Sequence, residues 1–121
     1  MKLKELEMEH LEQELETGIA ATALTVKIKE IQEKKTIQTK KGMNLIVTNM
    51  MVEQDDEIYR LGLFGSKADL PIKLDLNEGE TILIHRAFFK IRTSNGLKYK
   101  ELTISDYFDK TFNKEYIEKV K

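Results

Sequence analysis

From Asp55 to Phe89 the chain alternates, and the alternation leaves few folds open to it. Ile58-Tyr59-Arg60-Leu61-Gly62-Leu63-Phe64 sends Tyr59, Leu61 and Leu63 to one side and Ile58, Arg60, Gly62 and Phe64 to the other. Three large side chains on one face of a strand require a core to bury them. The opposite face offers a cation, a flat spot and a ring. Gln54-Asp55-Asp56-Glu57 reads as an acidic hairpin turn before this strand. Asn77-Glu78-Gly79-Glu80 reads as a tight turn before the next, Thr81 to Ile91.

The period of two recurs on both sides. From Thr22, Leu24, Val26 and Ile28 alternate with Thr25, Lys27 and Lys29, and Ile31 and Ile37 continue the pattern past a bend. Lys34 to Gly42 is a polar, basic connection. Asn44 to Glu53 predicts a second strand, with Leu45 and Val47 inward and Asn44, Ile46 and Thr48 outward. Leu97 to Ile104 predicts the last strand, after a loop from Thr93 to Gly96. Residues 65–76 do not alternate. There Ser66 predicts the cap of a short helix lying before Pro71. The order is three strands, a short helix and two strands. That is the layout of an all-β, five-stranded Greek-key barrel of the OB type, over residues 19–106.

Both ends differ from this body. Residues 1–18 predict an acidic amphipathic helix, with Met8, Leu11 and Leu15 at helical spacing, Leu3 and Leu6 a turn earlier, and Gly18 as its stop. Such a helix packs on the barrel, binds a partner, or competes with nucleic acid for a basic face. Phe108, Phe112, Tyr116 and Val120 recur at steps of four, which predicts a second helix over residues 107–121 that packs on the body or on another copy.

The charge is divided in the same way. Net charge is −1, which argues against a strongly basic surface. Lys2 and Lys4 oppose Glu5, Glu7, Glu9, Glu12, Glu14 and Glu16, so residues 1–18 carry −4 and the remainder carries +3. A mildly basic body can still present a local basic stripe. With no cysteine there is neither a disulfide nor a thiolate metal site. No apolar run approaches the ~18 residues of a membrane span, and Met1 to Glu5 has no apolar stretch behind its lysines. An intracellular, cytoplasmic and nucleoid-associated protein is expected, with no membrane partner.

Three elements in order give the chain a resemblance to a known family. They are Lys40-Lys41-Gly42 leading into a strand and an acidic turn, then Ile58 to Gly65 followed by Lys67-Ala68, then Glu78-Gly79-Glu80-Thr81-Ile82-Leu83-Ile84-His85-Arg86-Ala87-Phe88. Residues 24 to 106 thereby resemble the OB-fold single-stranded-DNA-binding domains of replication protein A and its archaeal relatives. Phe64 stands where the family commonly has tryptophan, and Arg86 where it has asparagine. The resemblance implies binding of single-stranded DNA with little sequence preference, in replication, recombination or repair. It also implies that Phe64 and Phe88 stack on bases while neighbouring basic residues contact the backbone. A protein-interaction subunit and an RNA- or tRNA-binding module are the alternatives on the same fold.

The residues themselves point the same way for Phe64, which lies opposite the apolar face of its strand. Phe88 and Phe89 are neighbours, so a regular strand turns only one of them inward. Phosphate contacts are expected from Arg60, which shares a face with Phe64, and from Lys35, Lys40, Lys41, Arg86, Lys90, Arg92 and Lys98. Tyr99 is a third candidate ring. About four neutralised phosphates would give a salt slope near −3. Catalysis is not expected. His10 and His85 lie in different elements without further ligands at metal spacing, and Asp55 and Asp56 are explained by the turn. No cofactor is expected.

Overall fold

The computed structural model describes residues 2–5, 7, 19–105 and 116–120. Its strands are β1 (Ile19–Ile31), β2 (Lys35–Gln38), β3 (Asn44–Gln54), β4 (Glu57–Phe64), β5 (Thr81–Ser94), β6 (Leu97–Ile104) and β7 (Ile117–Lys119). A 3₁₀ turn (Gly65–Asp69) runs into the one-turn helix α1 (Leu70–Lys73) between β4 and β5. β1 pairs with β3, β3 with β4, β4 with β6, β6 with β5, and β5 with β1, which closes a ring of five strands. β2 adds to β3 and β7 to β5. The β4–β6 pairing is parallel and the others are antiparallel.

The sequence makes the turns that this ring needs. Asp55 (φ 52°) and Asp56 (φ 63°) form a two-residue hairpin turn, as do Asn95 (φ 53°) and Gly96 (φ 77°). Aspartate and Asn-Gly pairs tolerate two successive positive φ values, and that geometry matches the twist of the flanking strands. At Asn77–Glu80 the Asn77 backbone N–H and side-chain amide both donate to Glu80 Oε1, at 2.6 and 2.9 Å.

The core is the inside of the ring. Leu24, Val26, Ile28, Met50, Val52, Tyr59, Leu61, Leu63, Ile82, Ile84, Phe89, Leu102 and Ile104 are all buried there. β1 and β5 change parity together: their buried positions step from Ala21 to Leu24 and from Ile84 to Ala87, three residues rather than two. Ala23 takes up the irregularity at φ 53°, a conformation uncommon for a residue with a Cβ. The shift places Phe89 inside, where its ring meets Tyr59 edge-on with centroids 6.3 Å apart, and turns Phe88 outward.

Both ends of the ring are closed. Residues 3–5 and 7 are helical. Leu3 enters the core, its N–H donating to Gln54 Oε1 at 2.6 Å, while Glu7 accepts from the Tyr59 hydroxyl at 3.0 Å. Leu6, Met8, Leu11, Leu15 and Gly18 of the expected N-terminal helix lie outside the described residues. At the far end of β4, Leu70, Leu74 and Leu76 pack against the core.

Three local expectations are corrected. Thr48 is buried, because its hydroxyl donates to the Ala68 carbonyl at 2.7 Å and so is satisfied without water. Val47 is buried too, so β3 is covered on both sides at that level. The short helix begins at Leu70 and holds Pro71 in its first turn, where a missing N–H leaves no bond unmade. Ser66 lies within the preceding 3₁₀ turn. Finally, Ile117–Lys119 is a strand and not part of a helix. The edge of β5 supplies partners that local periodicity cannot foresee. Ile117 is buried opposite Ile84, His85 N–H donates to the Tyr116 carbonyl at 2.8 Å, and Val120 N–H donates to Thr81 at 3.0 Å. Phe108 and Phe112 lie outside the described residues.

Candidate functional site

Strand register assembles one outward face of the ring. Asn49, Gly62, Thr103, Phe88 and Ala20 form a row that crosses five strands. The adjoining row is Met51, Arg60, Glu101 and Lys90. Beyond it Tyr99 stands opposite Arg92. Residues paired in register share a face, so rings and cations that are distant in sequence converge here.

Phe64 ends β4 on the same side and lies down on Gly62. A Cβ at position 62 would come within 2.9 Å of the Phe64 ring carbon Cε2 and 3.4 Å of Asn49 Oδ1. The glycine is the floor on which the ring rests.

The two arginines of this face are organised by a single acid. Arg60 Nη2 and Arg92 Nε, the latter at 3.0 Å, both donate to Glu101 Oε1. The Arg92 guanidinium also sits over the Tyr99 ring, 4.8 Å from its centroid. Lys100 points instead to the end of the ring, where its ammonium meets Glu7 at 2.6 Å and Glu57 at 3.1 Å. The hydrogen bond to Glu7 holds Lys100 protonated above its ordinary range. Burial, aided by Glu7, likewise pushes the Tyr59 phenol above its usual range, so it stays neutral.

A groove of about 630 Å³ runs over this face, lined by Gln32, Lys35, Asn49, Met51, Asp56, Glu57, Ile58, Arg60, Lys98, Tyr99, Lys100 and Glu101. Of the residues singled out from sequence, Lys35, Arg60, Lys98 and Tyr99 line it. Arg92, Lys90, Phe88 and Phe64 share the face beside it. Lys40 and Lys41 sit at the β2–β3 turn beside a separate apolar depression with Met43 and Leu45. Arg86 is half-buried opposite Thr22 and engaged within the molecule. The structure does not bring these three to the groove. Sequence reasoning missed Glu101, Asn49 and Met51. The alternation of β6 places Glu101 on the face of Tyr99, but the parallel pairing that delivers it to Arg60 has no local signal.

Two solved structures share this architecture. The solution NMR structure of the replication factor A related protein from Methanobacterium thermoautotrophicum is 21% identical, covers 88% of this chain and 84% of its own, and superposes with a TM-score of 0.61. That of the second OB-fold domain of replication protein A from Methanococcus maripaludis is 13% identical, covers 71% of this chain and 80% of its own, with a TM-score of 0.51. The fold is an OB fold. No family model matches the chain, and no curated protein does.

In OB-fold terms β3 and β4 are the second and third ring strands, residues 32–43 with β2 are the connection between the first and second, and Asn95–Gly96 joins the fourth and fifth. OB folds place oligonucleotide and oligosaccharide ligands across the second and third strands, between those two connections. The groove occupies that position. Among the described residues no group of three His, Cys, Asp or Glu side chains could hold a metal ion, and no helix is long and apolar enough to cross a membrane.

Proposed function

We propose that the chain binds single-stranded DNA with little sequence preference, along the outer face of β3, β4, β6 and β5. The carrying observation is the convergence by register of Phe64, Phe88 and Tyr99 with Arg60, Lys90 and Arg92 on one face. Unpaired bases expose a π-face that stacks on such rings, at ~1–3 kcal/mol per base, and guanidinium and ammonium groups follow the backbone. There is no chemical step; binding protects the strand and presents it to other factors in replication, recombination or repair. The two OB-fold neighbours are named as a replication factor A related protein and as a domain of replication protein A, which supports a role in replication.

The test is fluorescence anisotropy with a labelled oligo-dT of about 20 nucleotides, comparing wild type with a Phe64→Ala, Phe88→Ala double variant. Salt-sensitive binding that the variant loses supports the stacking face. An oligo-U of equal length run beside it separates a DNA binder from one that favours RNA.

A further inference from the structure

Arg60 and Arg92 do not wait in solvent for a phosphate, because both already donate to one carboxylate oxygen. Arg60 comes from β4 and Arg92 from β5, and Glu101 on β6 lies between them in register. Both guanidinium groups choose Oε1 of Glu101. The glutamate is well covered, its side chain 18% exposed, whereas the two arginines stand open at 40% and 44%. A largely covered acid thus holds two accessible cations, Arg60 in the wall of the groove and Arg92 on the face beside it. Its oxygen accepts one charge-assisted hydrogen bond from each arginine, the same kind of bond that each would give a phosphate oxygen.

We propose that Glu101 is an internal stand-in for phosphate, a carboxylate that the nucleic-acid backbone must displace, and that it sets both the strength and the salt dependence of binding. This rests on the single-strand reading above and goes beyond it by naming the residue that restrains affinity. Empty, the triad carries two positive charges and one negative. A strand that draws Arg60 and Arg92 to its phosphates strands the carboxylate, which then recruits a cation from solution. The triad therefore counts as one neutralised phosphate, not two. Without the carboxylate charge it counts as two.

Glu101→Gln is the test, because the amide keeps an acceptor oxygen for both arginines and removes only the charge. Anisotropy titrations with oligo-dT of about 20 nucleotides, from low to moderate salt, compare it with wild type. One more counted phosphate steepens the slope of log K against log salt by about 0.7. The variant is expected to bind roughly three- to thirtyfold tighter at low salt, with that advantage shrinking about 2.6-fold for each fourfold rise in salt. Its thermal midpoint is read beside it, and the charge-retaining Glu101→Asp is expected to keep the wild-type slope. Weaker binding by Glu101→Gln at an unchanged slope would overturn the proposal and make Glu101 a residue that positions the arginines. Equal affinity and slope would overturn it also. If wild type and variant both fail to bind at low salt, the single-strand reading itself fails and takes this one with it.

Discussion

Replacing Phe89 by alanine and, separately, Phe88 by alanine should divide the fold from the site at two adjacent positions. Phe89 is fully buried and its ring meets Tyr59 edge-on at 6.3 Å. Truncating a buried phenylalanine costs about 3–5 kcal/mol through lost transfer energy and the cavity left behind. The aromatic pair adds to this, so the upper part of that range applies. For a domain of this size each kcal/mol moves the thermal midpoint by about 3–5 °C, so Phe89→Ala should lose roughly 12–25 °C. Phe88 lies on the outer face and is only half-buried, so Phe88→Ala should cost about 1 kcal/mol and a few degrees. The assay is thermal unfolding followed by circular dichroism, with oligo-dT anisotropy on the same samples. Phe88→Ala should weaken oligonucleotide binding about five- to 150-fold, from ~1–3 kcal/mol of stacking. A Phe88→Ala variant as unstable as Phe89→Ala would refute the parity shift in β5, and with it the composition of the outer face.

Other substitutions test other parts of the account. Gly62→Val should displace the Phe64 ring, because even a Cβ at position 62 would approach it to 2.9 Å; weakened oligo-dT binding with the thermal midpoint lowered only slightly is the expected pattern. Leu3→Ala should destabilise by about 2–5 kcal/mol in denaturant unfolding, since Leu3 is wholly buried at the end of the ring. Glu80 titrates below its ordinary value of 4.5, chiefly because the Asn77 side chain donates to it. A lowered carboxylate contributes stability above its unfolded value and loses it as pH falls through the folded one. Acid unfolding of Asn77→Ala should therefore show a shallower loss of stability below about pH 4.5 than wild type.

Much of the ring was legible in the sequence, because its strands are half-buried and their period of two is written in Leu24, Val26 and Ile28 and again in Tyr59, Leu61 and Leu63. The turns were legible for a related reason: Asp55-Asp56 and the glycine-bearing turns demand backbone conformations that few residues adopt. What stayed hidden depends on partners distant in sequence. The spacing of Tyr116 and Val120 suits a helix, yet residues 117–119 pair with the edge of β5, and tertiary contact overrides propensity. Thr48 reads as outward until the Ala68 carbonyl is found within reach of its hydroxyl. The outer face of β4 was legible residue by residue, whereas the pairing of Arg60 and Arg92 with Glu101 arises only when β4, β6 and β5 lie side by side. Of the tail stripe expected to mediate association, Phe108 and Phe112 lie outside the described residues, as does the acidic stretch of residues 8–18, whereas Tyr116 and Val120 flank the strand on β5.

The most direct measurement is the salt dependence of oligo-dT binding by the wild-type protein, with the Phe64→Ala, Phe88→Ala variant beside it. The account predicts binding at low salt, a log–log slope of about −3 or shallower, and loss of that binding when both rings are removed. Absence of binding at low salt, or binding that both truncations leave intact, would contradict the claim that this face holds single-stranded nucleic acid.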